Sequence, residues 1–149
     1  MTGIADRDGG VRISVLRQTI DRGAVPTAAG VAAALGLSRQ DVLASFERLG
    51  ADHVFVLDPR TREVLMANPF SAVPTPFVVR SGQRQWWGNC IWDALGIPAI
   101  IAADAEIDCA CGDCGEPMTV AVRDGAVAGE GIIHIGVPFG HWWDDIVYT

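Results

Sequence analysis

The stretch Trp86-Trp87-Gly88-Asn89-Cys90-Ile91-Trp92-Asp93, completed by Ala94-Leu95-Gly96, decides how the second half of this chain folds. It reads as one short helix set among strand-like runs, which points to an α+β fold with a small mixed or antiparallel sheet around a single helix. Cys90 and Asp93 are three residues apart, so a helix puts both side chains on one face, one turn from each other. Trp86, Trp87 and Trp92 supply an apolar wall beside them. A thiolate is a soft nucleophile and a soft-metal ligand. A carboxyl held in an apolar wall keeps its proton toward neutral pH and can donate it. The same spacing also fits a small buried cysteine on a core helix with a surface or capping aspartate, so the pair takes its meaning from its surroundings.

Downstream, Gly96 and Pro98 are expected to stop that helix. Residues 105–109 read as a strand with Glu106 and Asp108 outward and Ile107 and Cys109 inward. Residues 118–122 and 131–136 read as further strands, with Asp124-Gly125 between them as a hairpin signal. Cys111-Gly112-Asp113-Cys114-Gly115 is a knuckle of the kind that begins many zinc sites. A complete structural zinc site needs four ligands, for which Cys90, Cys109, His134 and His141 are the remaining candidates. A turn with inward-packed cysteines is favoured over zinc. The tail, residues 138–149, sets His141, Asp144 and Asp145 among Trp142, Trp143, Ile146 and Tyr148. It reads either as an edge strand sealed by aromatics or as a site wall returning to the central stretch. It stops in what reads as a core strand, so a truncated C-terminus is expected.

Upstream, Val11, Val15, Leu16 and Ile20 recur at helical spacing, after ten polar, glycine-rich residues that read as a loose terminus. Thr27 and Ser38 read as N-caps of two further helices, and Asp41 makes an approximate capping box with Ser38. Residues 53–57 and 63–67 read as a hairpin around Asp58-Pro59. Three helices followed by a hairpin is the order of a winged-helix unit, whose third helix would read the major groove. Here that helix mixes Asp41 and Glu47 with Arg39, Gln40 and Arg48, and the hairpin turn mixes Asp58 and Glu63 with Arg60 and Arg62. Packing or dimerisation is expected of it rather than duplex binding. Val73-Pro74-Thr75-Pro76 marks a boundary, giving a winged-helix-like domain over residues 1–72 and a second, mostly sheet domain over residues 73–149.

The 149 residues are half hydrophobic and carry a formal net charge of −7, which argues against a general binder of nucleic acid or anionic membrane. No run approaches the length of a membrane span, and the first residues hold no apolar signal segment, so a cytoplasmic location is expected. In that compartment the four cysteines, Cys90, Cys109, Cys111 and Cys114, are expected to be free, catalytic or metal-binding.

Taken together, the helical first half, Pro69-Phe70, the run from Trp87 through Cys90 and Asp93 to Gly96, Cys111-x-x-Cys114-Gly115-Glu116-Pro117 and the aromatic tail His141-Trp142-Trp143-Asp144-Asp145-Ile146 resemble the organomercurial lyase (alkylmercury lyase) family. The resemblance covers nearly the whole chain. It implies a winged-helix-like part packed on a mixed-sheet catalytic core. It further implies Cys90 as the first metal-binding thiolate, Asp93 as the proton donor and Cys111 as a third, structural cysteine. The family's second catalytic cysteine would fall immediately after Tyr148-Thr149. The implied chemistry is protonolysis of a carbon–mercury bond, with mercury as part of substrate or product, no organic cofactor, and a small organometallic substrate and cellular thiols as partners. The metal ligands expected from this are Cys90, Cys111 and Cys114, and the expected substrate pocket is Trp86, Trp87 and Trp92 with His141. A homodimer stays open. Two alternatives compete with this: a non-catalytic soft-metal or organomercurial binder or winged-helix regulator, and a structural zinc protein of unrelated activity.

Overall fold

The structure, a computed structural model, describes residues 4–147. The sequence-expected chain end at Tyr148-Thr149 lies outside them. Three helices come first, α1 (Ile4–Arg22), α2 (Ala28–Leu35) and α3 (Arg39–Ala51). Helix α1 starts well before Val11, so residues expected to be loose are helical through Gly9 and Gly10. Each glycine costs a helix about 1 kcal/mol. Contacts remote in sequence offset that cost: the Arg48 guanidinium donates twice to the Asp8 carboxylate, at 2.7 Å each, and Arg7 donates to Asp41 at 3.2 Å. The other helix starts follow the capping chemistry. Thr27 accepts from the Gly30 amide, and Ser38 accepts from the Asp41 amide at 3.0 Å while donating to the Asp41 carboxylate at 2.7 Å. Val11, Val15, Val31, Val42 and Phe46 are fully buried between the helices, and Phe55 closes this core edge-on against Phe46 with ring centres 5.9 Å apart.

Eight short strands follow: β1 (Val56–Leu57), β2 (Val64–Ala67), β3 (Phe70–Ser71), β4 (Val78–Ser81), β5 (Arg84–Gly88), β6 (Ala105–Ala110), β7 (Pro117–Arg123) and β8 (Ala126–Ala128). They form one sheet in the order β1-β2-β3-β5-β4-β6-β7-β8, and every pairing is antiparallel. The fold is α+β, with the β1–β2 hairpin continued through β3 into the larger half of the sheet. Val79 is opposite both Trp86 and Ile107, and these three bury one face beneath helix α4 (Ile91–Ile101), which contributes Ala94 and Ile97. The other face carries Arg80 paired with Asp108, and Thr119 donating to the same carboxylate at 3.2 Å. Along β6, Ala105 and Ile107 are buried and Glu106 is exposed, the alternation read from the sequence.

Further sequence expectations fail for tertiary reasons. Helix α4 runs through Gly96 and Pro98 to Ile101. Pro98 removes one amide from the helix, but Ala94, Ile97 and Pro98 are all buried against the sheet, and that burial outweighs the local penalty. Residues 131–136, expected as a strand, pair with nothing among the described residues, and Ile132 is 97% exposed. Gly129 and Gly131, at φ of 150° and 152°, take backbone conformations that side chains disfavour and break the extended run just past β8. The tail then forms a short 3-10 helix, Phe139–Asp144, in place of an edge strand. No helix among the described residues is long and apolar enough to cross a membrane.

Candidate functional site

Strand β5 ends at Gly88, and within two residues the chain has become helix α4. Gly88 makes that turn sterically feasible. A Cβ there would lie 2.8 Å from both the Cα and the amide nitrogen of Ala94, closer than real contacts allow. Sequence reasoning gave Gly88 no role, although a glycine between a strand-forming tryptophan and a helix start is the available signal. Cys90 is the N-cap residue of α4, in extended conformation, and Asp93 is the third residue of the helix. The two side chains therefore share the first helical turn, both half-buried.

Their surroundings act on both protons. Burial pushes the Cys90 thiol up, and the neighbouring Asp93 charge adds to this, while the amides of Asp93 and Trp92 favour the thiolate. Burial also raises the Asp93 carboxyl, opposed by a hydrogen bond from Asn89 Nδ2 to Asp93 Oδ2 at 2.9 Å. Asn89 Nδ2 also donates to Asn68 Oδ1 at 3.1 Å, tying the carboxyl to the residue before the cis bond to Pro69. Asn89 escaped the sequence reading because a lone asparagine carries no spacing signal. Among the described residues it is the side chain that bonds to Asp93.

The aromatic residues diverge. Trp86 is 3% exposed, lies in the core beneath α4, and donates its indole N–H to the Thr19 carbonyl of α1 at 2.9 Å. Trp87, one residue on, is half-buried on the opposite face of the strand. Trp92 is 53% exposed on the first turn of α4 and meets Phe139 with ring centres 6.1 Å apart. Phe139 in turn meets Trp142 at 4.5 Å, and Trp143 stacks on His53 at 4.1 Å with planes 7° apart. The tail thus returns to the central helix through Phe139 and reaches the helical half through Trp143. His141 Nδ1 lies 2.9 Å from Asp144 Oδ2, both groups being exposed.

All four cysteines are free. Cys109 shares the α4 side of β6 with Ile107, and burial raises its thiol. Cys111 and Cys114 lie in the turn between β6 and β7, away from that packing. There the amides of Cys114 and Asp113, with the Cys114 thiol, lower the Cys111 thiol. Among the described residues no three His, Cys, Asp or Glu side chains converge as a metal site. Two surface hollows, of about 400 and 380 Å³, lie elsewhere. One is bounded by Leu95, Pro98, Asp104 and Val127, the other by His53, Phe55, Leu57 and Trp143, and neither is lined by Cys90 or Asp93.

A family model described as alkylmercury lyase, MerB, matches residues 70–149, from β3 through the tail. Among solved structures, a crystal structure of the mercury-bound form of MerB2 superposes with a TM-score of 0.61 at 24% sequence identity, a likeness of fold. The match covers 79% of this chain and 58% of that one, so this chain spans less than two thirds of that protein's length. No curated protein matches the chain. The family match takes in more than half of the sequence, including the Cys90–Asp93 turn and the Cys111–Cys114 turn: the chain belongs to the alkylmercury lyase family.

Proposed function

We propose that this protein is organomercurial lyase-like and cleaves a carbon–mercury bond by protonolysis, with Cys90 as the metal-binding thiolate and Asp93 as the proton donor. The observation that carries this is the pairing of a thiol and a carboxyl on the first turn of α4, with burial raising the carboxyl above its ordinary range. An organomercurial arriving on a small thiol exchanges that thiolate for Cys90. The sulfur–mercury bond forms, and the Cys90 proton leaves with the departing thiol. Asp93 then gives its proton to the bound carbon. The electron pair of the carbon–mercury bond becomes the new carbon–hydrogen bond, and the hydrocarbon departs. Mercury(II) stays on Cys90, its charge balanced by the Asp93 carboxylate, until two small thiols carry it off as a dithiolate and their two protons return to Cys90 and Asp93.

In this account residues 73–149 do the chemistry and residues 1–72 support it, through the Trp86 bond to Thr19 and the Trp143 stack on His53. Duplex binding is disfavoured because three arginines of α3 and the hairpin turn already hold acids: Arg39 with Glu63, Arg48 with Asp8, Arg62 with Glu47. The test is benzene release from phenylmercury with excess small thiol. Cys90→Ser is expected to abolish benzene release and phenylmercury binding at the α4 turn, since a hydroxyl is a harder ligand and stays un-ionised. Asp93→Asn is expected to keep binding and lose release. Release by Asp93→Asn at the parent rate rules out the donor assignment. Binding without release by the parent chain makes it a mercurial binder, and a salt-dependent shift of duplex DNA makes it a regulator.

A further inference from the structure

We propose that the β6–β7 turn is a second soft-metal site, in which Cys111 and Cys114 hold one mercuric ion between two thiolates, independently of Cys90. The turn is closed by two backbone bonds, from the Cys111 amide to the Glu116 carbonyl at 2.8 Å and from the Gly115 amide to the Cys111 carbonyl at 2.9 Å. Gly115 holds a φ of 75°, a left-handed conformation that glycine takes without strain. This closure folds Cys114 and Gly115 back against Cys111, so the two sulfurs are neighbours on one tight turn. Cys114 is exposed and Cys111 half-buried, so an ion reaches them from solvent.

The donor set selects the ion. Structural zinc takes four ligands, and no third His, Cys, Asp or Glu converges here among the described residues. Two thiolates suffice for a soft ion that favours near-linear coordination, and mercury(II) is the strongest case. The site is separate from α4. Strands β5 and β6 both run antiparallel to β4, so Cys90 and Cys111 emerge at the same end of the sheet. The strands that carry them are two spacings, roughly 10 Å, apart. Loading is thiol exchange with no redox step: a mercuric ion held by two small thiolates passes to Cys111 and Cys114, and the two protons leave with the two small thiols. None of this depends on carbon–mercury cleavage.

The test uses the full chain carrying Cys90→Ser and Cys109→Ser, reduced, with inorganic mercuric ion supplied in excess glutathione and the complex weighed by native mass spectrometry. The expected result is one mercury per chain with no glutathione attached. Adding Cys114→Ser or Cys111→Ser is expected to weaken retention by about a hundredfold or more, because the second sulfur no longer binds intramolecularly. The proposal is overturned by a complex that retains glutathione, by no bound mercury, by unchanged retention in the triple variants, or by zinc held equally well. Alkylation mapping of the unsubstituted chain guards against a folding defect in the variants. Mercury is expected to protect Cys111 and Cys114 together, and protection of Cys90 without them overturns the proposal. Benzene release from phenylmercury, read separately, reports on the lyase reading alone.

Discussion

Cys90 and Cys111 each follow a strand of the same sheet, and each faces backbone amides of the residues just after it. Their thiols nevertheless move in opposite directions. At Cys90 burial is the largest influence and a carboxyl sits on the same turn, so the thiol is raised. At Cys111 the amides of the turn are the largest influence, so the thiol is lowered. The comparison teaches that a cysteine's chemistry is set by what covers it more than by the turn it starts. A thiol beside a half-buried carboxyl suits a reaction that would draw a proton from that carboxyl. A dithiol within reach of solvent suits reversible capture of an ion.

The sharpest way to break that contrast is at Asp93. Asp93→Asn is expected to lower benzene release by about 10²–10⁴-fold, the range of a positioned general acid, while phenylmercury binding stays intact. The pH profile separates this from a structural effect. Because burial raises the Asp93 pKa, release by the parent chain is expected to persist above the ordinary carboxyl range and to fall as pH rises through the raised value. Asn89→Ala removes a bond that favours the carboxylate, so that fall is expected to move to higher pH, read from kcat across a pH series. The same group has a stability signature. A raised native pKa means the folded state binds more protons than the unfolded one between the two values, so stability declines as pH rises through that window. Denaturant titrations of Asp93→Asn are expected to lack that decline.

Next in size is Gly88→Ala, which forces a methyl onto the Ala94 backbone. A loss of about 1–3 kcal/mol is expected from overpacking, with the start of α4 displaced and Cys90 reactivity changed while Cys111 reactivity is not. Unchanged stability in chemical denaturation would show that the strand-to-helix turn has more slack than its geometry allows.

A smaller effect sharpens the thiol contrast directly. Iodoacetamide at a pH below the ordinary thiol range is expected to modify Cys111 about tenfold faster than Cys90, since the thiolate is the reacting form. Equal rates by peptide mapping would remove the distinction. Smallest is Asp8→Ala, which unties α1 from Arg48 and is expected to cost about 1 kcal/mol, as the pair is partly open to solvent. Arg48 holds the Asp8 carboxyl below its usual range, so the parent chain keeps this contribution above the ordinary carboxyl pKa and loses it as pH falls through the lowered one.

What the amino-acid sequence determined by itself is whatever depends on residues a few positions apart. Thr27 and Ser38 announce their helices because a cap bonds two or three residues onward. The alternation along β6 reports its buried face, and Cys90 and Asp93 share a turn because three residues make nearly one turn of helix. Only the tertiary structure decided the rest. Helix α1 extends to Ile4 because Asp8 and Arg7 find partners on α3, and α4 survives Gly96 and Pro98 because the sheet buries its face. Residues 131–136 read as a strand and find no edge to pair with among the described residues. Trp86 and Trp87 look equivalent in the sequence, yet the pleat of β5 sends one into the core and the other to the far face. Asn89 became visible only through the carboxylate it touches. Local geometry is written in spacing, whereas burial and distant partners exist only once the chain has closed on itself, and those are what set the two thiols apart.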